Sequence, residues 1–179
     1  MRHGKVDIDM VREIKTLKDA VLRRPARKVE KVTPEIRKLI DDMFETMHAA
    51  NGLGLAAPQV GVSQRIFVVE IEKDEETPGS GVAYALINPE IVKASDEREA
   101  GPEGCLSIPG WRGEVERATK VLLRGLDRDG KRIRVEVEGL AARAMQHELD
   151  HLDGVLFIDK LTAPDRIWRI SESDDSPVE

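Results

Sequence analysis

The stretch GLAARAMQHELDHLDG, residues 139 to 154, constrains this chain more than any other. Leu140, Ala144 and Leu152 recur at partial helical spacing and Gly154 offers a stop, so the segment predicts a helix. Residues four apart on a helix share a face, which aims His147 and His151 at one point beside the axis. Glu148 lies about 100° further round, poorly aimed to be a ligand yet near enough to reach a water held by a metal. That is the division of labour behind the H-E-x-x-H pattern. The competing reading is an ordinary solvated helix face. Against it, only 4 histidines occur in the chain and two of them fall here, between apolar flanks.

Two imidazoles make half of a tetrahedral site. Zinc proteases add a further His or Glu downstream, but no histidine follows His151, and Glu172 and Glu179 sit in the tail. Upstream stands Cys105, in PEGCLSIPG, the single cysteine of the chain. It can complete a Cys-His-His set with a fourth position left for water, or it can be a buried, inert thiol. The glycine before it and Ser-Ile-Pro-Gly after it suggest a strand end leading into a turn.

At 179 residues the chain fits one domain, long enough to bury a core without disulfides or a structural metal. A net charge of −6 excludes a global nucleic-acid footprint, so no DNA partner is expected. No run approaches the roughly 18 apolar residues of a membrane span, and MRHGKVDIDM lacks the apolar region of a secretory signal. The expected compartment is the cytoplasm, where one cysteine forms no internal disulfide. Residues 1 to 10 and about 171 to 179 lack periodicity or are acidic, and are expected to be flexible ends.

Between those ends, TPEIRKLIDDMFETMHAANG predicts an amphipathic helix. Thr33 is its N-cap, Pro34 its first residue and Gly52 the left-handed residue beyond its end. RIFVVEIE (65 to 72) and YALINPEIV (84 to 92) read as strands around a charged loop. TKVLLRGLD and KRIRVEVEG read as a hairpin with one buried face and a cationic, solvated outer one. NGLGLAAPQVG (51 to 61) lacks the spacing and lysine of a phosphate loop. Gly52 and Gly54 permit close backbone approach there, and Gln59 offers an amide donor; a helix cap followed by an apolar connector is the alternative.

Taken in order, GLGLAAPQ (52 to 59), EGCLS (103 to 107) and QHELDHL (146 to 152) closely resemble the three signature motifs of the peptide deformylases. The similarity runs on through INPEI, LDRDGK and GVLF, from about Val11 to about Asp165. The resemblance implies an α+β fold, with antiparallel sheets packed around a central metal-binding helix and an N-terminal amphipathic helix. The activity it implies is hydrolysis of the N-formyl group from the formylmethionine of new polypeptides, releasing formate.

Mapped onto this chain, the family's metal ligands are Cys105, His147 and His151, and its catalytic glutamate is Glu148. The oxyanion donors are the Gln59 side-chain amide and the Leu106 backbone N–H. Leu53, Gly54 and Gly104 are placed against the substrate backbone. Leu140, Arg143 and Ala144 wall the methionine pocket, Arg143 through its alkyl stem with its charge turned to water, or Arg143 is simply a solvated surface arginine. Arg112 corresponds to an arginine that binds substrate carbonyls, although PGWRG differs locally from many relatives. Family usage implies one divalent ion, Fe2+ in the cell, replaceable by Zn2+, Ni2+ or Co2+.

The implied partners are N-formylmethionyl nascent peptides, with a transient ribosome contact and a monomeric chain. Where some relatives end in a long basic helix, RIWRI here gives way to SESDDSPVE, which puts docking by that route in doubt. The rival readings are a zinc endopeptidase built on the same helix and a non-catalytic metal-binding module. The Cys105 position and Gln59 speak against the first, and retention of Glu148 and Gln59 against the second.

Overall fold

IFVVE has no polar alternation, which requires a strand covered on both faces, and the fold supplies the two covers. In a computed structural model, residues 10 to 171 are described. The ends expected to be flexible lie outside them except for Met10 and Ser171. Among the described residues, two α-helices, α1 (Pro34–Ala49) and α2 (Gly139–Leu152), accompany eight strands. The strands are β1 (Gly54–Ala56), β2 (Ile66–Glu70), β3 (Ala83–Ala94), β4 (Arg98–Cys105), β5 (Ile108–Ala118), β6 (Lys120–Leu126), β7 (Arg132–Glu138) and β8 (Ile167–Arg169). One sheet has the order β1-β2-β3-β6-β7 and the other β4-β5-β8, and every pairing within them is antiparallel. The class is α+β.

Alternate residues of β2 point to opposite faces. Phe67 and Val69 join Leu86, Leu123, Ala141, Ala144 and Met145 in a core beneath α2. Ile66 and Val68 join Ile40, Met43 and Met47 in a second core beneath α1. A third cluster, Cys105, Ile108, Val115, Leu156 and Phe157, lies against the smaller sheet. Because α2 touches β1, β2, β6 and β7 of one sheet and β5 of the other, it runs between the two sheets.

Local chemistry explains the element ends. Thr33 accepts from the Ile36 N–H at the start of α1, with Pro34 first in the helix. The left-handed residue after α1 is Asn51 (φ 54°), not Gly52 as the sequence suggested. Asparagine enters that region more readily than other residues with a Cβ, because its short amide can hydrogen-bond locally. Gly52 instead gives room to a neighbour: a Cβ there would stand 2.7 Å from Leu106 Cδ1, which would have to move aside. The β6–β7 turn closes on Asp127, whose Oδ1 accepts from the Asp129 and Lys131 N–H groups, with Gly130 at φ 83°. The register of β3 on β6 shifts between Ile87 and Glu90, which is how Pro89 is accommodated inside a strand.

The N-terminal segment is fastened to α1 at Asp42 and at Thr46, whose Oγ1 accepts from the Arg12 N–H at 2.8 Å. Asp42 on α1 is buried and accepts from the Met10 N–H at 2.8 Å and from Arg12 Nε at 3.0 Å, and it pairs with Lys38. Burial pushes its carboxyl up, but the Lys38, Met10 and Arg12 interactions together leave it below the usual aspartate value. A group depressed in the folded state adds stability that is complete above its unfolded pKa, about 3.9, and fades as pH falls through the folded value. Asp42→Asn is therefore expected to be less stable than the parent by about 1–3 kcal/mol at pH 7. In urea unfolding followed by circular dichroism, that gap should narrow as pH drops below about 4.

Candidate metal centre

The two-residue turn Leu106–Ser107 joins β4 to β5 and sets Cys105 at the very end of its strand, paired with Ile108. On α2, His147 and His151 share one face. The Cys105 sulfur and one ring nitrogen of each histidine lie within 4.8 Å of one another, and all three residues are buried. Cys105 Sγ is 3.3 Å from His151 Nε2, and the two imidazoles meet edge to face at 5.0 Å.

The donor atoms suit a divalent cation. His147 uses Nδ1 toward Glu103 at 2.9 Å, while its Nε2 is buried without a hydrogen-bond partner. A buried, unpaired polar atom beside a thiol and a second imidazole is costly unless something electrophilic joins them. Burial pushes the Cys105 thiol up to about 12, and the nearby Glu148 charge adds to that rise against the N–H groups of Ser107 and Ile108. Burial likewise holds His151 well below the usual histidine value, so its ring is neutral and keeps a lone pair to give.

Behind the cluster sits an ion network that sequence reading did not assign. Glu103 is fully buried and accepts from Arg117 Nε (2.7 Å) and Nη2 (2.9 Å), Arg143 Nη1 (3.1 Å) and His147 Nδ1. Burial alone raises its carboxyl, but the hydrogen bonds and charges of Arg117 and His147 overturn that and hold it far below the usual range. Arg117 also grips Asp150 at 2.6 Å, and Asp150 is held in turn by Lys160. By donating Nδ1–H to Glu103, His147 is fixed in the tautomer whose Nε2 faces the cluster. Strand parity offered a signal for Glu103, two residues before Cys105 and so on the same face. Nothing local marks Arg117 within the alternating charges of EVERA.

Glu148 is buried beside the ligands, pressed against the backbone of Gly54, where a Cβ would stand 2.5 Å from its Oε1. Gln59 is also buried. Its Oε1 accepts from the Ala56 N–H, and its Nε2 donates to Ser107 Oγ at 3.1 Å and Cys105 Sγ at 3.5 Å. Cys105, His147, His151, Glu148, Gln59, Gly54 and the Leu106 turn are thus brought together.

The family model for polypeptide deformylases matches residues 11–166. The chain belongs to that family. A peptide deformylase of Thermomicrobium roseum is 48% identical over 170 residues, covering 94% of this chain and 96% of its own. The crystal structure of peptide deformylase from Ehrlichia chaffeensis superposes with a TM-score of 0.82 at 42% identity, covering 87% of this chain and 90% of that one. A class I type b peptide deformylase from Acinetobacter baumannii with Met-Ala-Ser bound gives 0.80 at 36% identity, covering 86% and 100%.

For a deformylase, the remaining expected residues are more dispersed. Leu53 and Gly104 are buried next to Gly54 and Cys105 respectively, Ala144 is fully buried, and Leu140 is exposed. Arg112, on β5, stands opposite Gly104 of β4 and opposite Trp168 of β8. A cavity of about 260 Å³ is lined by Gly101, Leu140, Arg143 and Thr119 among others, and excludes the three metal-site residues. One expectation is corrected. The Arg143 guanidinium is not turned to water but bonded to Glu103 and to the carbonyls of Glu99 and Val115, because a buried carboxylate and strand carbonyls lie within its reach.

The Gly54 contact leads to a test. In Gly54→Ala the three atoms nearest the new methyl all belong to Glu148, so the Glu148 carboxylate is what it displaces first. Metal content by atomic emission should match the parent while kcat falls by about 100-fold, the usual cost of misplacing a reacting group by about 1 Å.

Proposed function

We propose that the chain removes the N-formyl group from the formylmethionine of nascent polypeptides with Cys105, His147 and His151 holding one divalent cation and Glu148 moving the proton. Deformylation is the reaction of the family. The observation that carries the assignment of roles is the buried triangle of one sulfur and two ring nitrogens, with Glu148 and the Gln59 amide on its border. When bound, the cation lowers the pKa of a water and polarises the formyl oxygen.

The rest of the chemistry belongs to the chain. Cys105 as thiolate and two neutral imidazoles form a donor set with a single negative charge, which leaves the cation electrophilic. Glu148, held against Gly54, takes the proton of the attacking water and passes it to the leaving amine nitrogen. Gln59 Nε2 is pre-oriented because the Ala56 N–H holds its Oε1, and with the Leu106 N–H it donates to the developing oxyanion. Leu53, Gly54 and Gly104 meet the substrate backbone, Arg112 its carbonyl groups, and Leu140, Arg143 and Ala144 border the methionine side chain. The Met-Ala-Ser peptide held by the Acinetobacter baumannii relative supports a substrate beginning with methionine.

The cation proposed is Fe2+, replaceable by Zn2+, Ni2+ or Co2+, since all accept imidazole and thiolate. The chain acts as one domain of residues 1–179 and as a monomer in the cytoplasm, meeting its substrate in a transient contact with the ribosome. No helix among the described residues is long and apolar enough to cross a membrane.

Purified without oxygen and loaded with Fe2+ or Ni2+, the protein should release formate from formyl-Met-Ala-type peptides. No release at full metal content would refute the proposal, and cleavage of internal peptide bonds would favour an endopeptidase. Glu148→Ala should keep its metal and lose nearly all turnover, whereas Cys105→Ala should bind metal more weakly in an equilibrium chelator competition. Gln59→Ala should lower kcat by about 10²–10³, the cost of one oxyanion donor.

A further inference from the structure

On α2, Arg143, His147 and His151 recur every four residues and form one row. On β4, Glu99, Gly101, Glu103 and Cys105 recur every two and form another. Four helical residues advance about 6 Å and two strand residues about 6.6 Å, so the rows keep step over three rungs. His151 meets Cys105 at 3.3 Å, His147 meets Glu103 at 2.9 Å, and Arg143 lies over Gly101, its Nη1 3.5 Å from that residue's carbonyl. Both rows ascend in the same direction.

The first rung does more than fill space. Arg143 Nη1 donates to Glu103 Oε1 at 3.1 Å and to the Val115 carbonyl at 2.9 Å, so one guanidinium holds the carboxylate, the β4 backbone ahead of it and β5 behind it. The side chain is only 11% exposed. Gly101 makes room for it, since a Cβ at that position would stand 2.9 Å from Arg143 Nη2 and 3.1 Å from its Cζ. The hydrogen bonds of its guanidinium go to Glu99, Gly101, Glu103 and Val115 rather than to Cys105, His147 or His151.

We infer that Arg143 is a positioning residue for the metal centre: seated over Gly101, it sets the register of α2 on β4 and acts through Glu103 on His147. This rests on the reading of Cys105, His147 and His151 as the metal ligands. Because Arg143 also lines the cavity of about 260 Å³, the wall of that cavity and the ligand carrier Glu103 are fastened by the same group.

The test compares Arg143→Met, which keeps an apolar stem of similar reach, with Arg143→Lys and Gly101→Ala. Each metal-free protein is titrated with Co2+ under argon, and the visible absorption of the bound ion is recorded. Substitution of groups behind a metal ligand commonly costs 10–100-fold in metal affinity, and one step further removed the expected loss for Arg143→Met is about tenfold. Its Co2+ bands should shift, and kcat should fall while KM for formyl-Met-Ala stays within about threefold. Arg143→Lys should recover part of the affinity. Gly101→Ala should move affinity and bands in the same direction with Arg143 still in place. Parent-like Co2+ affinity and bands in Arg143→Met, with KM alone raised, would make Arg143 a pocket wall only. Should Arg143→Met fail to fold, unchanged Co2+ binding by Gly101→Ala overturns the inference. A parent that binds no Co2+ sinks the ligand assignment together with this one, whereas a binding parent and indifferent variants sink only the role of Arg143.

Discussion

The burial of the Glu103 carboxylate is the constraint on which the rest of the site depends. Taking a carboxylate out of water costs several kcal/mol, and the cost is met only where geometry satisfies both oxygens. Arg117 supplies two parallel hydrogen bonds from β5, and Arg143 and His147 supply one each from α2. One charge thus ties a strand, its hairpin partner and the helix between the sheets. Removing any partner leaves the others around an incompletely compensated ion, so the arrangement tolerates few intermediate geometries.

That tie explains how a site drawn from distant parts of the chain stays ordered. The larger sheet presents β1 at its edge, where Gly54 brings bare backbone against Glu148. The smaller sheet presents the Cys105 turn. Separate apolar clusters under α1, under α2 and beside β5 hold each wall in place, and the polar network fixes their mutual alignment where apolar contact alone would be indifferent to it.

Much of this was legible in the sequence, and the remainder has identifiable physical causes. Helix α1, strand β2 and the β6–β7 hairpin announced themselves by period and caps because each buries a regular stripe. The pair β4–β5 did not. REAGPEGC and IPGWRGEVERA carry glycine and proline where strands are weak by propensity, and they persist because Gly101 and Gly113 must admit Arg143 and Leu161. The three-residue strand β8 is too short to show a period. Spacing alone left Cys105 open between ligand and inert thiol, since a lone cysteine has no sequence partner to interpret it, and only the family resemblance assigned it; the fold sets it 3.3 Å from His151. The sequence does not determine the direction of Arg143, because the same long side chain can extend to water or turn back onto a carboxylate, and only the position of Glu103 decides between them.

The matched pitch of α2 and β4 also divides the chain into lengths that are free and lengths that are not. Inserting one residue between His147 and His151 would swing the second imidazole about 100° away, and inserting one between Glu103 and Cys105 would turn the sulfur to the opposite face of its strand. Neither error has a local remedy, because both rows are indexed against each other. The segment from 72 to 82, mostly exposed between β2 and β3, is indexed against nothing in the ladder. Variation in length can accumulate there while the intervals E-x-C and H-x-x-x-H persist as two measures of a single distance.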